Sequence, residues 1–180
     1  MMLPVARQIS DAIPVLRTGG LILRAPRLSD FDTWVDFYAS PRSAFEGGRK
    51  SRADTWSQWG ADVALWTLKG YGPFSVEEAA TGRHLGEVGI YHGETYPAPE
   101  LGWMVVPEAE GKGVAFAAAQ AVLAWLRASL AWPHVTSIIE PENARSIALG
   151  LRLGGVIDPT QPGIDPTDVV IRHDLNRGQA

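Results

Sequence analysis

The longest helical pattern in the chain, residues 111–130, lies between two segments with strand patterns. One apolar stripe of this pattern consists of Val114, Ala118, Ala121, Trp125 and Ala128. Further apolar side chains cover much of the remaining helix surface, so we expect this helix to be deeply buried. A helix that connects two strands of one sheet allows those strands to run parallel, in a right-handed crossover. This stretch therefore predicts a domain in which helices pack on a sheet.

Shorter patterns predict the elements around this crossover. Two helices begin near Ser29 and Ser51, where short polar side chains can cap them. Strand patterns cover residues 20–25, 74–77, 85–91, 100–106, 135–139 and 169–173, and apolar and polar residues alternate in 74–77. A short helix begins at Glu142 or Asn143 and ends at two glycines, 154–155.

This order of elements predicts an α+β (mixed α/β) domain. The three middle strands have short links, which favours antiparallel pairing, and the long helix adds one parallel pair. We expect a mostly antiparallel sheet flanked by about four helices. Residues 1–19 are interpreted as a loosely ordered lead-in, residues 20–175 as one domain and residues 176–180 as a tail.

Composition excludes several classes of protein. Sixteen Lys and Arg against twenty Asp and Glu residues give a net charge of −4, whereas a nucleic-acid-binding module needs a basic surface. The chain has no cysteine, which excludes disulfides, thiolate metal sites and a cysteine nucleophile. The four histidines lack metal-ligand spacing, so we predict no metal. No apolar run could span a bilayer and no signal peptide is evident, so we expect a cytoplasmic protein without a membrane partner.

Residues 107–115 carry the most informative local pattern. A strand ends at Pro107, a short acidic loop follows, and Gly111 and Gly113 open the long helix. Glycines let the backbone approach a ligand closely, and the first N–H groups of a helix have no intrahelical partner. Such groups can bind a phosphate. The spacing matches neither a P-loop nor a dinucleotide fingerprint, and a plain strand-to-helix turn is the alternative.

A second polar pattern follows the next predicted strand. Asn143 stands at the end of that strand, and Ser146 lies one helical turn later on the same side. The pair suits the recognition of an extended ligand that passes over the sheet. Helix capping by Asn143, with Ser146 on the surface, is the alternative.

Together the two patterns resemble the GNAT superfamily of acetyl-CoA-dependent N-acetyltransferases, and more closely its group of ribosomal-protein N-terminal acetyltransferases. The family's motif Arg/Gln-x-x-Gly-x-Gly/Ala falls on residues 110–115, and its later Asn-x-x-Ser falls on Asn143 and Ser146. Residues 18–24 look like the first strand of that group, and residues 100–103 like its fourth. The resemblance covers about residues 18–175 and implies the GNAT fold, whose parallel strand pair is splayed at the cofactor site.

The resemblance implies an enzyme that moves an acetyl group directly from acetyl-CoA, its co-substrate, to a primary amine. It implies that the cofactor-binding residues are Met104, Val105, Val106, Glu110, Gly111, Lys112, Gly113, Val114, Ala115, Asn143 and Ser146. A backbone N–H group near Val105 or Val106 would polarise the thioester carbonyl. Acetyl-CoA and an amine acceptor are then the expected partners.

Catalysis needs a base, because an amine must lose a proton before it attacks. Glu100 is our candidate, since it shares a strand face with Gly102 and Met104 beside the expected thioester position. Glu87 and Glu140, on neighbouring strands, are its rivals. The resemblance offers Ser146 as the acid, or as a contact for the thiol or the pantetheine.

Two residues depart from the family pattern. Glu110 stands where Arg or Gln is preferred, and Gly150 where many members carry a tyrosine as general acid. A carboxylate near a pyrophosphate would weaken binding unless it turns to solvent. These departures leave open a non-catalytic acyl-CoA-binding module, or an interaction domain with a decayed pocket. The acceptor is open among a protein N-terminus, an amino sugar, a polyamine and an amino acid, and the protein is expected to be a monomer or a homodimer.

Overall fold

Eight strands form one mixed sheet in the computed structural model, which describes residues 3–176. In chain order they are β1 Leu16–Thr18, β2 Leu21–Arg24, β3 Pro73–Glu78, β4 His84–Tyr91, β5 Glu100–Val105, β6 His134–Ile139, β7 Val156–Ile157 and β8 Val169–Asp174. Across the sheet their order is β1-β2-β3-β4-β5-β6-β8-β7. All these neighbours are antiparallel except β5 and β6. The predicted sheet, mostly antiparallel with one parallel pair, is therefore confirmed.

The described residues also form five α-helices. They are α1 Pro4–Ala12, α2 Phe31–Ala39, α3 Arg52–Lys69, α4 Val114–Ser129 and α5 Ala144–Arg152. The capping residues explain the bounds of α3. Ser51 Oγ accepts a hydrogen bond from Asp54 N at 3.1 Å, and Gly70 ends the helix with a φ of 75°. One helix, α1, was not among the four predicted.

The first residues are more ordered than the sequence indicated. The segment 1–19, expected to be a loosely ordered lead-in, contains α1 and the edge strand β1, which pairs with β2. That expectation is wrong for residues 3–19, because Pro4 begins α1 at its first helical position and Leu16–Thr18 pairs with β2. Residues 1–2 of this segment and residues 177–180 of the predicted tail lie outside the described residues. Among the described helices, none is long and apolar enough to cross a membrane.

The parallel strands β5 and β6 separate almost as soon as they meet. Between residues 3 and 176 their one registered pair is Glu100 with Thr136, whereas β5 has six registered pairs with β4. The helix α4 makes the crossover between them, as its position in the sequence predicted. Leu101 O still accepts from Ser137 Oγ on β6 at 2.7 Å, but among the described residues β5 has no registered pair with β6 beyond Glu100, so the sheet opens into a wedge.

The helix α4 packs on the sheet through a different stripe from the one predicted. Ala118, Val122 and Leu126 are fully buried, whereas Ala128 is exposed and Trp125 is half-buried. The helix meets the sheet on one side only, so it is not buried all round. Alanine occurs on exposed as well as buried helix faces. Because the outer face of α4 carries alanines, its sequence looked like that of a buried face.

Candidate active site

A cleft of about 350 Å³ lies where β5 and β6 separate. Its walls come from the end of β5, the start of α4, the start of α5 and a 3-10 turn, Pro41–Phe45. Of the predicted cofactor-binding residues, those on the cleft wall are Met104, Val105, Glu110, Gly111, Gly113, Val114, Ala115, Asn143 and Ser146. Two predicted residues, Val106 and Lys112, are not on it. Lys112 is exposed outside the cleft.

Two glycines shape the start of α4 at this cleft. Gly111 and Gly113 have φ values of 69° and 76°, in the left-handed region that favours glycine. The first intrahelical bond runs from Ala117 N to Gly113 O at 2.9 Å. The N–H groups of Val114, Ala115 and Phe116 therefore have no acceptor in the helix and are available to an anion. A Cβ on either glycine would meet no protein atom within 4 Å, so the glycines serve the backbone conformation rather than protein packing.

Arginines neutralise the carboxylate that departs from the family pattern. Glu110 Oε1 accepts from Arg42 Nε at 3.1 Å, and Glu110 Oε2 lies 2.9 Å from Arg145 Nη2. Partial burial opposes ionisation, but the hydrogen bonds from both arginines lower the pKa of Glu110 below its ordinary value. The negative charge of Glu110 is therefore compensated by two arginines. Its presence at the start of α4 does not prevent the cleft from binding a pyrophosphate.

The sequence patterns did not predict that arginines line this cleft. Arg42, Arg145 and Arg152 all line the cleft, against two carboxylates, Glu46 and Glu110. Arg145 lies next to Ser146 in the second motif, so its position was a usable signal. Arg42 is 68 residues from its partner Glu110, and no local pattern connects the two.

The Ser146 hydroxyl is held at the cleft by a tryptophan. Trp103 Nε1 donates to Ser146 Oγ at 3.2 Å, and Ser146 N donates to Asn143 Oδ1 at 3.2 Å. Asn143 therefore caps α5, as the alternative interpretation held, but it also lines the cleft. Ser146 is half-buried rather than on the open surface. An indole N–H only donates, so the Ser146 O–H remains free to donate to a ligand.

Gly150 faces the sheet and not the cleft. A Cβ at this position would lie 2.7 Å from Ile171 Cδ1 on β8. A larger side chain at this position would have to displace the Ile171 side chain, and the position does not line the cleft, so Gly150 offers the site no general acid. Ser146 is the one hydroxyl in the sequence of α5.

Of Val105 and Val106, only one directs its N–H group toward the wedge. Val106 N donates to Leu85 O at 2.8 Å, which commits it to β4. Hydrogen-bonded positions alternate in an antiparallel pair, so Val105 directs its N–H and C=O groups toward the wedge. The Val105 carbonyl indeed accepts from Arg42 Nη2 at 2.6 Å. Of the two positions predicted from the sequence, Val105 and not Val106 has the required direction.

Glu100 lies in two smaller spaces beside the cleft. One, of about 50 Å³, is the acidic cavity, which Glu100, Gly102 and Met104 line together with residues of α2 and α3. The other, of about 40 Å³, lies between β5 and β6. Glu100 Oε1 accepts from Ile138 N at 3.1 Å, across the wedge. Burial raises the pKa of Glu100 to about 8, and the neighbouring carboxylate of Glu46 adds to the rise.

The two rival carboxylates occupy different surroundings. Glu87 is fully buried and accepts hydrogen bonds from Trp59 Nε1 at 3.2 Å and from the Tyr91 hydroxyl at 3.3 Å. It lines neither the cleft nor the two smaller spaces. Glu140 lines the space between β5 and β6, beside Asn143.

Comparisons with known proteins agree with this geometry. Residues 20–156 match the family described as Acetyltransferase (GNAT) domain. An acetyltransferase from Agrobacterium tumefaciens is 40% identical, with a TM-score of 0.86 over 89% of this chain and 94% of that chain.

Two more distant structures share the fold. A putative ribosomal-protein-serine acetyltransferase from Vibrio cholerae has a TM-score of 0.70 at 20% identity, covering 89% of this chain and 97% of its own. Spermidine N-acetyltransferase from Vibrio cholerae, in complex with CoA and spermine, has a TM-score of 0.65 at 17% identity, covering 85% and 93%. The family match over most of the chain is the deciding observation: the chain belongs to the GNAT family of acetyltransferases.

Proposed function

We propose that this GNAT acetyltransferase moves an acetyl group directly from acetyl-CoA to a primary amine. The observation that carries the proposal is the start of α4, where Gly111 and Gly113 direct unpaired backbone N–H groups onto the cleft beside the wedge. An anion held there would lie close to the end of β5, where the Val105 N–H group points into the wedge. A non-catalytic module would not need Glu100 in a cavity that adjoins the same wedge.

The groups on the cleft wall suit the anionic and the apolar parts of CoA. The N–H groups of Val114, Ala115 and Phe116 would hold the pyrophosphate, and Arg42 and Arg145 would add positive charge at its mouth. Asn143, Met104 and Val105 would border the pantetheine arm. Bound acetyl-CoA supplies an activated acetyl thioester, and the remaining chemistry is the task of the protein.

Three groups would carry that chemistry. Glu100, ionised above its raised pKa of about 8, accepts the proton of the attacking amine directly or through a water. The Val105 N–H polarises the thioester carbonyl, since it points into the wedge. Ser146, whose oxygen already accepts from Trp103, donates its own proton toward the leaving sulfur.

Acetyl-CoA-dependent thiol release with a panel of amines tests this function. Wild type should bind acetyl-CoA in calorimetry and release free thiol only when an amine is present. Glu100→Gln should lower kcat by about 100-fold, as expected for loss of a general base, and should leave acetyl-CoA affinity unchanged. Glu94→Gln, at an exposed loop position outside the cavities, is the matched control.

Two outcomes would contradict the proposal. If calorimetry detects no acetyl-CoA binding at high micromolar concentration, the cleft is not a CoA site. If Glu100→Gln keeps its kcat, Glu100 is not the base, and Glu140, on the same space between β5 and β6, takes its place as the candidate.

Finer assignments are also proposals. We place the chain nearest the ribosomal-protein N-terminal acetyltransferase group, because the order and spacing of the two motifs resemble that group. We propose residues 20–175 as the catalytic domain, and a cytoplasmic monomer or homodimer as the working form. Size-exclusion chromatography with light scattering would measure the oligomeric state.

A further inference from the structure

Two arginines from different elements meet at the carboxylate of Glu110. Arg42 comes from the turn after α2 and bonds to Oε1, whereas Arg145 comes from the first turn of α5 and pairs with Oε2. Each carboxylate oxygen therefore has a cation of its own. All three residues line the cleft. Together they carry one net positive charge, and they tie the start of α4 to the two elements beside it.

The guanidinium of Arg42 is fixed by several contacts. Its Nε donates to Glu110 at 3.1 Å, its Nη2 donates to the Val105 carbonyl at 2.6 Å, and its Cζ lies 5.5 Å from the centre of the Phe37 ring. The backbone is held as well, because Arg42 N donates to Ser40 Oγ at 3.2 Å. Within residues 3–176, the two N–H groups of Nη1 have no acceptor. They are therefore available to a ligand phosphate.

The side chain of Arg145 depends far more on Glu110. It is 76% exposed, and its one ion pair among the described residues is with Glu110 at 2.9 Å. A long exposed side chain loses rotamer freedom when it binds a ligand. The ion pair already restricts Arg145 at the cleft, so less of this entropy is lost on binding. A single exposed ion pair contributes little, but Glu110 joins two arginines in one network.

No other common residue type at position 110 would hold both arginines. An arginine there would repel Arg42 and Arg145, and a glutamine would offer one oxygen to two guanidinium groups. A carboxylate has two oxygens, one for each arginine. By itself it would repel an anionic ligand, but here it keeps two positive charges at the start of α4.

We infer that Glu110 is a positioning residue for acetyl-CoA. It holds Arg42 and Arg145 on the cleft wall, and these two arginines supply the positive charge that an arginine at position 110 would have brought. The inference rests on the proposed function and extends it to the residues that bind the phosphates. The departure of Glu110 from the family pattern then strengthens acetyl-CoA binding and does not weaken it.

Calorimetry with acetyl-CoA tests this inference through the sign of one effect. Glu110→Gln should bind acetyl-CoA about tenfold more weakly than wild type, the order of magnitude for one charge-assisted hydrogen bond. A merely repulsive carboxylate would give the opposite result, since its removal would tighten binding. Glu108→Gln is the matched control. It removes the same charge two residues away, at an exposed position with no ion pair among the described residues, and it should not weaken binding.

Kinetics separate positioning from a role in the chemical step. With an amine that wild type acetylates, Glu110→Gln should raise the KM for acetyl-CoA by about tenfold and change kcat by less than about threefold. A group that only supports the fold would not act on one substrate alone, so the KM for the amine should stay unchanged.

A double-variant cycle tests whether Glu110 acts through the arginines. Arg42→Gln should also weaken acetyl-CoA binding by about tenfold, whereas Arg49→Gln, exposed in the loop before α3, should not. The variant with both Arg42→Gln and Glu110→Gln should lose about 20-fold instead of the product of about 100-fold, because Glu110 then has one arginine left to hold.

Four results would contradict these expectations. If Glu110→Gln binds acetyl-CoA as tightly as wild type or more tightly, Glu110 does not position the arginines, and the proposed function stands. Single losses that multiply in the double variant would show that Glu110 acts independently of Arg42, and would overturn the inference. A lower kcat with unchanged acetyl-CoA affinity would overturn it as well. Wild type that binds no acetyl-CoA would refute the proposed function itself.

Discussion

The buried carboxyl of Glu87 gives a quantitative test of this fold. Glu87 is fully buried beneath Trp59 and Tyr91, and burial raises its pKa from the ordinary value of 4.5 to about 8, which the charge of Asp62 increases further. At neutral pH the group therefore carries a proton in the folded protein. The unfolded chain loses that proton near pH 4.5.

The sign and size of the pH effect follow from this difference. Between pH 4.5 and about 8 the native state holds one proton more than the unfolded state, so the free energy of unfolding falls as pH rises. The contribution is fully present below the unfolded pKa and is lost by the folded pKa. The slope is about 1.4 kcal/mol per pH unit within the window, which amounts to about 2 kcal/mol between about pH 6 and about pH 8.

Glu87→Gln removes this titration while it keeps the shape of the protonated side chain. Trp59 Nε1 can still donate to the amide oxygen, and the Tyr91 hydroxyl can turn to accept from the amide nitrogen. Relative to wild type, the variant should therefore gain about 2 kcal/mol in the free energy of unfolding between about pH 6 and about pH 8.

Chemical denaturation of both proteins at the two pH values measures this gain. Asp62 and Glu100 titrate in the same window, but they are present in both proteins, so most of their contribution cancels. Glu108→Gln, exposed on the surface, should follow wild type. If wild type and Glu87→Gln lose stability equally as pH rises, Glu87 is not a buried protonated acid and the reasoning fails.

Two further predictions concern the cleft. Gly113→Ala should lower acetyl-CoA affinity at least tenfold in calorimetry. The control is Gly82→Ala, in the turn between β3 and β4, where φ is a similar 72°; it should lose about 1 kcal/mol of stability from the same backbone strain but keep its affinity for acetyl-CoA. Equal affinities of the two variants would refute the anion site at the start of α4. Ser146→Ala should lower kcat by about 10- to 100-fold and change acetyl-CoA affinity by less than about threefold, with Ser57→Ala as a surface control; an unchanged kcat would exclude Ser146 as the acid.

Local sequence patterns predicted most of the elements correctly. The helix α3 begins after its Ser51 cap and ends at Gly70, and β5, α4 and β6 follow one another as the crossover pattern indicated. These features depend on interactions between residues a few positions apart, such as a capping hydroxyl and the third N–H beyond it. The exposed helix α1 and the short strands β1 and β7 were missed, and none of the three has a buried residue.

The sequence predicted those parts of the cleft that depend on residues close together in the chain. The Gly111 and Gly113 turn and the Asn143 cap are local, and the structure brings both motifs to one cleft. The direction of the Val106 N–H was not predictable, because it depends on the register between β4 and β5. The same is true of Gly150, whose lack of space comes from Ile171 on another strand.

The amino-acid sequence by itself determined the order of helices and strands, the glycine turn at the start of α4 and the resemblance to the family. Tertiary structure alone decided the charges of the site. It brought Arg42 to Glu110 and placed Glu46, Asp62 and Glu100 around one cavity. Coulombic interactions and burial depend on distance in space rather than on separation along the chain, so the pairing of Glu110 and the acidity of the cavity became visible only in the folded chain.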